Sequence, residues 1–322
     1  MTVGSILATN LLSPVILAFA LGVVTRLIKS EFRLPKDLYA SLSIYLLLAL
    51  GIKGGVELSH VSLAQFAGPA GVTLLLGCLT PITSYAVLRK LGRFDAANSA
   101  AIAAHYGSVS AVTFIAAQTF VTAMGERPEG YMPTLLTLLE SPGIHIALAI
   151  GVLKTGPGRP VRETLHEVLT GRTMILLVGG LFVGLLMGEA QWHAVQPFFE
   201  GGFKGALTLL LLEMGIVAAD RIGDLKKVGL FLGAFGIVMP LVHGALGVVL
   251  GVFAGLSAGG ATMLGAMAAS ASYIAAPPAA RMSLPTANPT FYLTAALAIT
   301  FPFNVVAGIP VYYAIARAIH GG

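Results

Sequence analysis

Charge is what this chain of 322 residues has least of: Asp, Glu, Lys and Arg make up only 10 % of it, against 56 % hydrophobic residues. A soluble domain carries about 25 % charged residues, so a water-soluble globule is excluded. Cysteine is limited to Cys78, which rules out an intrachain disulfide framework. Histidine is sparse as well. His105, His145 and His243 fall in apolar stretches without the HExxH-like spacing that a metal site needs. The net charge of +5 comes from scattered residues and not from a basic patch interleaved with aromatics, which argues against nucleic acid as a partner.

What is present is apolar length. With a mean hydropathy of +0.87, the chain reads as an all-α membrane protein with about ten transmembrane helices. The apolar segments run approximately 11–28, 38–52, 66–88, 96–122, 131–153, 173–188, 204–219, 228–255, 259–280 and 290–317; a spanning helix needs roughly 17–25 residues. In the first, Arg26 and Lys29 follow the apolar run and no small-residue cleavage site is evident, so it reads as a span and not as a secretory signal.

Basic residues set the expected orientation. One set of connections carries Arg26, Lys29, Arg33 and Lys36, then Arg89, Lys90 and Arg93, then Lys154, Arg159, Arg162 and Arg172, then Arg221, Lys226 and Lys227, and lastly Arg281. The opposite side has only Lys53, Arg127, Lys204 and Arg317. The positive-inside rule makes the first side cytoplasmic and both termini extracytoplasmic, in an inner or plasma membrane.

Two punctuated stretches about 160 residues apart resemble each other: AIAAHYGSVSAVTF (Ala101 to Phe114) and GAMAASASYIAAPP (Gly265 to Pro278). Leu48–Leu58 likewise resembles Leu212–Asp220, Pro81 matches Pro240, and Glu140–Gly143 matches Thr300–Asn304. Five spans per repeat is an odd number, so the second copy inserts upside down. The expectation is two inverted five-helix repeats, residues 1–153 and 173–322, joined by a cytoplasmic linker over 154–172, with two crossing broken helices.

A broken helix exposes N–H groups at the start of its second half, where the macrodipole contributes roughly half a positive charge. A small anion is the natural guest there, and nearby hydroxyls and carbonyls suit Na⁺. The candidate substrate-binding residues are Gly107, Ser108, Ser110 and Thr113 in the first stretch and Ser270, Ala271 and Ser272 in the second, with Pro277 and Pro278 expected to forbid regular helical bonding just downstream. Glu140, before Ser141-Pro142, is the candidate ion-binding carboxylate, joined by Ser110, Ser272 and, from the opposite repeat, Asn304. Glu213 has no acidic counterpart in the first repeat and reads as a helix–helix or subunit contact. No catalytic residues are assigned: Ser110 and His105 lie five positions apart on the helix and no carboxylate orients the histidine.

YGSVSAVTFIAA (Tyr106 to Ala117), PLVHG (Pro240 to Gly244) and AASASYIAAPPAARMSLPTANP (Ala268 to Pro289) carry a resemblance over essentially the whole chain to the SbtA-type sodium-dependent bicarbonate transporters. That resemblance implies a homotrimeric Na⁺-coupled symporter importing bicarbonate without a cofactor, a core moving against a scaffold, and a possible PII-like (SbtB-type) cytosolic regulator. It places the substrate site on Gly107, Ser108, Ser110, Ser270 and Ser272, and an acidic residue on Glu140. The sequence departs from better-known members, which read Ser-Ser-Ser-Asp, at Ala271 and Tyr273. Two other readings stay open at this point: a Na⁺/organic-anion symporter of the bile-acid-transporter type, and a non-transporting membrane sensor.

Overall fold

The computed structural model describes residues 10–155, 166 and 169–321. Helices make up the fold, and no strand occurs among the described residues. In chain order they are α1 (Pro14–Leu27), α2 (Lys36–Leu58), α3 (Leu63–Lys90), α4 (Ala96–Tyr106), α5 (Ala111–Ala123), α6 (Met132–Glu140) and α7 (Pro142–Thr155). After the expected linker, most of which lies outside the described residues, come α8 (Arg172–Gly201), α9 (Phe203–Ile222), α10 (Leu225–Phe253), α11 (Ala258–Ala268) and α12 (Ala276–Ser283). The last rod is α13 (Pro289–Ile319).

Among the described residues, seven segments are long and apolar enough to cross a bilayer. Two more of the expected spans are shorter apolar helices, Pro14–Leu27 and Arg172–Met187. The segment expected over 259–280 is split into α11 and α12 by a non-helical stretch at Ser270–Ser272, so it presents no single long helix. The protein is a multi-pass membrane protein. Leu74, Leu75, Ile82, Phe182, Leu186 and Leu230 are exposed, an arrangement that water would penalise and lipid accepts.

Helix starts follow local chemistry. Ser62 and Gln65 form a reciprocal capping box at α3. Asp95 caps α4 by accepting from the Asn98 backbone N–H at 2.8 Å. Burial pushes the Asp95 carboxyl upward, but hydrogen bonds from the Asn98 backbone and side chain outweigh it and hold the group below its ordinary range. Pro277 and Pro278 sit in the first turn of α12, so they open a helix where their missing N–H groups cost nothing, instead of blocking one.

Two helix pairs pack at backbone distance. In α2 and α8, Gly51 faces Gly180, while Gly55 lies on the Leu181 carbonyl and Gly184 on the Ile52 carbonyl, small residues at four-residue spacing that let the helices touch. In α1 and α9, Gly22 lies on the Leu212 backbone and Gly215 on the Phe19 carbonyl. Such packing replaces the hydrophobic effect, which lipid does not supply between helices. Around the middle, α4, α5 and α11 are buried over nearly their whole length and form the centre of the molecule. The charged end of the bundle is laced by ion pairs: Arg26 and Arg33 both reach Asp220, the latter at 2.5 Å, and Lys227 reaches Asp224 at 2.7 Å.

Replacing Gly55 or Gly215 by Ala is expected to cost about 1–3 kcal/mol or more, because the new methyl would strike a backbone carbonyl of the neighbouring helix. Gly71→Ala, which meets nothing within 4 Å, serves as the control and should be neutral or slightly stabilising. Thermal unfolding of the detergent-solubilised protein, followed by loss of monodisperse material, checks both outcomes.

Candidate functional site

The site forms where two interruptions meet. Between α4 and α5 the chain passes through Gly107–Ser110, and Ser110 takes an extended conformation as N-cap of α5, its hydroxyl accepting from the Thr113 N–H at 3.1 Å. Between α11 and α12 the chain runs through Ser270–Ser272. The interruptions supply each other's missing backbone partners. The Ser110 N–H donates to the Ser270 hydroxyl at 2.9 Å, and the Ser272 N–H donates to the His105 carbonyl at 2.8 Å.

Each interruption is also tied to a neighbouring helix. The Ser108 hydroxyl donates to the Glu140 carbonyl at 2.8 Å, beside the break that Pro142 makes between α6 and α7. On the other side, the Asn304 amide donates to the Ala269 carbonyl at 2.8 Å and its oxygen accepts from the Tyr312 hydroxyl at 3.0 Å. Asn304 opens a wide π turn, Asn304–Gly308, in the middle of α13; a second, Ala295–Thr300, precedes Pro302. Such turns commonly accompany functional sites.

A narrow cleft remains at the crossing, lined by Val109, Ser110, Ala111, Glu140, Thr173, Ser272, Tyr273 and Ile274. It has room for about one water molecule. Three expected residues, Ser110, Ser272 and Glu140, therefore come together. Glu140 is only 3 % exposed, and one of its carboxylate oxygens is buried without a hydrogen-bond partner. A buried carboxylate in that condition is expensive unless a proton or cation sits on it.

The other expected residues lie around the cleft and not on its wall. Ser270 holds the Ser110 N–H and donates to the Met267 carbonyl at 2.8 Å. Ser108 is committed to Glu140, and Asn304 has both ends of its amide engaged. Gly107 serves close packing: a methyl there would lie 2.6 Å from the Pro81 side chain. Thr113 contributes a backbone donor to Ser110, and Ala271 is buried beside the two serines. Glu213, expected as a helix–helix or subunit contact, instead accepts from the backbone N–H of Leu34 in the α1–α2 connection at 3.0 Å.

Thr173 and Ile274 had no signal in the sequence. Thr173 follows Arg172 at the start of α8 and looks like an ordinary first-turn residue. Tyr273 occupies the cleft directly: its hydroxyl accepts from Ser110 at 3.2 Å and its ring meets Phe301 edge-on at 5.6 Å.

His105 does not approach these groups as a base. Its Nδ1 donates to the Ala101 carbonyl at 2.7 Å and its ring stacks on Tyr292. No cluster of metal-binding side chains occurs among the described residues.

The family model that describes the Na⁺-dependent bicarbonate transporter superfamily matches residues 14–317. The chain belongs to that superfamily. Comparison with curated proteins gave no match. In this superfamily member Ser110 and Ser270 are in contact, and Tyr273 is the aromatic residue that lines the cleft.

Ser110→Ala should lower stability by about 1 kcal/mol through loss of the α5 cap, whereas Tyr273→Phe removes a single hydrogen bond and should cost about 0.5–1.5 kcal/mol. Because Tyr273 and Thr113 both bond Ser110 Oγ, the two substitutions should be non-additive in a double-mutant cycle. Additive losses would mean that the Tyr273 contact carries no energy.

Proposed function

We propose that this protein is a secondary active transporter that imports bicarbonate together with Na⁺, holding both ligands at the crossing of the two interruptions. The observation that carries the reading is Glu140: a buried carboxylate with an unpartnered oxygen, in one cleft with Ser110 and Ser272, at the positive end of α5. The carboxylate alone would repel an anion. At a separation of about 5 Å and an effective dielectric of about 20, the repulsion is about 3 kcal/mol. A Na⁺ ion held by Glu140 and the hydroxyls of Ser110 and Ser272 cancels that charge and leaves the partial positive charge of the α5 N-terminus to attract the anion, so the anion binds well only after the cation. Coupling then follows from electrostatics.

An inverted-repeat architecture of two five-helix halves, residues 1–153 and 173–322, is favoured by matching elements: α4 (Ala96–Tyr106) and α11 (Ala258–Ala268) have the same length, begin at the side-chain caps Asp95 and Ser257, and are each followed by an interruption. Inverted repeats are related by a two-fold axis in the membrane plane. The helix pairs α1–α9 and α2–α8 are each other's images under the same operation, with Gly215 on Phe19 matching Gly55 on Leu181. In this reading those four helices form the scaffold, and α3–α7 with α10–α13 form the moving core, ten spans in all. Each ligand must bind the two states with different affinity for the cycle to turn. A homotrimer and a PII-like cytosolic partner are carried over from the family resemblance, and the basic end of the bundle is assigned to the cytoplasm.

Uptake of labelled bicarbonate into proteoliposomes with and without an inward Na⁺ gradient tests the reading. Wild-type uptake should depend on Na⁺. Glu140→Gln should reduce the Na⁺-stimulated rate about tenfold or more, equivalent to at least about 1.4 kcal/mol of lost coupling. Tyr273→Asp should strengthen Na⁺-dependent uptake. Bicarbonate uptake that ignores both Na⁺ and Glu140→Gln overturns the assignment; saturable uptake of organic carboxylates in its place would favour the bile-acid-transporter type.

A further inference from the structure

A second and larger cavity, about 300 Å³, lies at the opposite end of the bundle from the Asp220 ion pairs. It opens where α2, α5 and α8 finish and α9 begins. Its charged lining is Lys53, Glu200 and Lys204. Glu200 is fully occupied: Lys53 reaches one oxygen at 2.6 Å and Gln196 donates to the other at 2.7 Å. Lys204 is exposed at the rim and has no acidic partner among the described residues, which leaves the cavity with one uncompensated positive charge. Of the four basic residues that the sequence led us to expect on this side, Lys53, Arg127, Lys204 and Arg317, two are gathered here.

The cavity is connected in register with the inner cleft. Ala111, Ile115, Gln118 and Thr122 recur at intervals of four, three and four residues along α5 and so share one helix face. Ala111 lines the inner cleft, whereas Gln118 and Thr122 line the outer cavity. Between them stands Ile115, 1 % exposed. The distance along the helix from Gln118 to Ala111 is about 10 Å.

We infer that the outer cavity is an anion-collecting vestibule: Lys204 draws a small oxyanion from the aqueous phase to the Gln118–Thr122 face of α5, along which it reaches Ser110, with Ile115 closing the passage in this conformation. The positive charge of Lys53 is offset by Glu200 in their ion pair, so Lys204 is the residue that sets the field. The inference rests on the transport reading for its substrate, the bicarbonate class of small oxyanion. The vestibule itself does not depend on that reading.

Two measurements test it. Initial rates of bicarbonate uptake at constant Na⁺ are compared at low and high ionic strength, adjusted with choline chloride. Lys204→Gln should raise KM about three- to tenfold at low ionic strength with a maximal rate close to wild type, and should flatten the salt dependence. Lys204→Arg should restore both. Unchanged KM and salt dependence in Lys204→Gln overturn the inference.

The second measurement needs no transport. In a Cys78→Ser background, Thr122→Cys is labelled with methanethiosulfonate ethylsulfonate, an anion, and with its trimethylammonium analogue. The anionic reagent should react faster relative to the cationic one, and Lys204→Gln should remove that preference. Equal preference with and without Lys204 overturns the vestibule. Anion-preferring labelling in a protein that takes up no bicarbonate would sink the substrate assignment and leave the vestibule standing.

Discussion

In the hydrocarbon of a bilayer, each backbone N–H and C=O must find its partner within the protein, because an unsatisfied one costs several kcal/mol. That requirement governs this molecule at its buried centre, where two helices are interrupted. The Ser110 N–H reaches the Ser270 hydroxyl and the Ser272 N–H reaches the His105 carbonyl. Neither interruption is tolerable alone; each is the other's solvent. The serines are therefore structural before they are functional, and a ligand at the crossing meets groups already held in place.

The same constraint explains the surroundings. Ser108 and Asn304 carry the reciprocal solution one layer outward, donating to the Glu140 and Ala269 carbonyls. Pro142 and Pro277 stand in the first turns of α7 and α12, where a missing N–H is harmless, and Pro302 follows a π turn in α13. Pro69, Pro81, Pro197 and Pro240, by contrast, lie inside helices. Among the described residues several buried side-chain atoms lack a hydrogen-bond partner, His105 Nε2 and the Tyr292 hydroxyl among them, and Glu140 contributes the one carboxylate oxygen in that set. It shares its cleft with Thr173 of α8, so the element that the proposed cycle holds still touches the site that moves.

Much of this was legible in the sequence because it was written as repetition and composition. The scarcity of charge gave the solvent, and the two Gly/Ala/Ser stretches marked the positions that meet. Ser110 and Ser270, one from each stretch, bond one another. Glu140 was visible as a carboxylate next to proline in an apolar run. What stayed hidden depends on pairings between distant segments. The Lys53–Glu200 contact joins residues 147 positions apart, and nothing in either neighbourhood predicts it. Thr173 and Ile274 reach the cleft only through tertiary packing. Asn304 was legible as a polar group in a span, but its amide is spent on Ala269 and Tyr312, a distinction that local pattern does not encode. Pro277 and Pro278 signalled an interruption correctly in place and wrongly in direction, since a proline pair ends one helix by the same chemistry with which it begins another.

The central claim is that Na⁺ and the anion share one site and bind through each other's charge. Equilibrium binding of labelled bicarbonate to the purified protein across a range of Na⁺ concentrations, paired with labelled Na⁺ binding across a range of bicarbonate, tests it most directly. The account predicts that each ligand raises the other's affinity by the same factor, as linkage between two binding equilibria requires, and that Glu140→Gln abolishes the effect. Affinities for the two ligands that are independent of one another would contradict it.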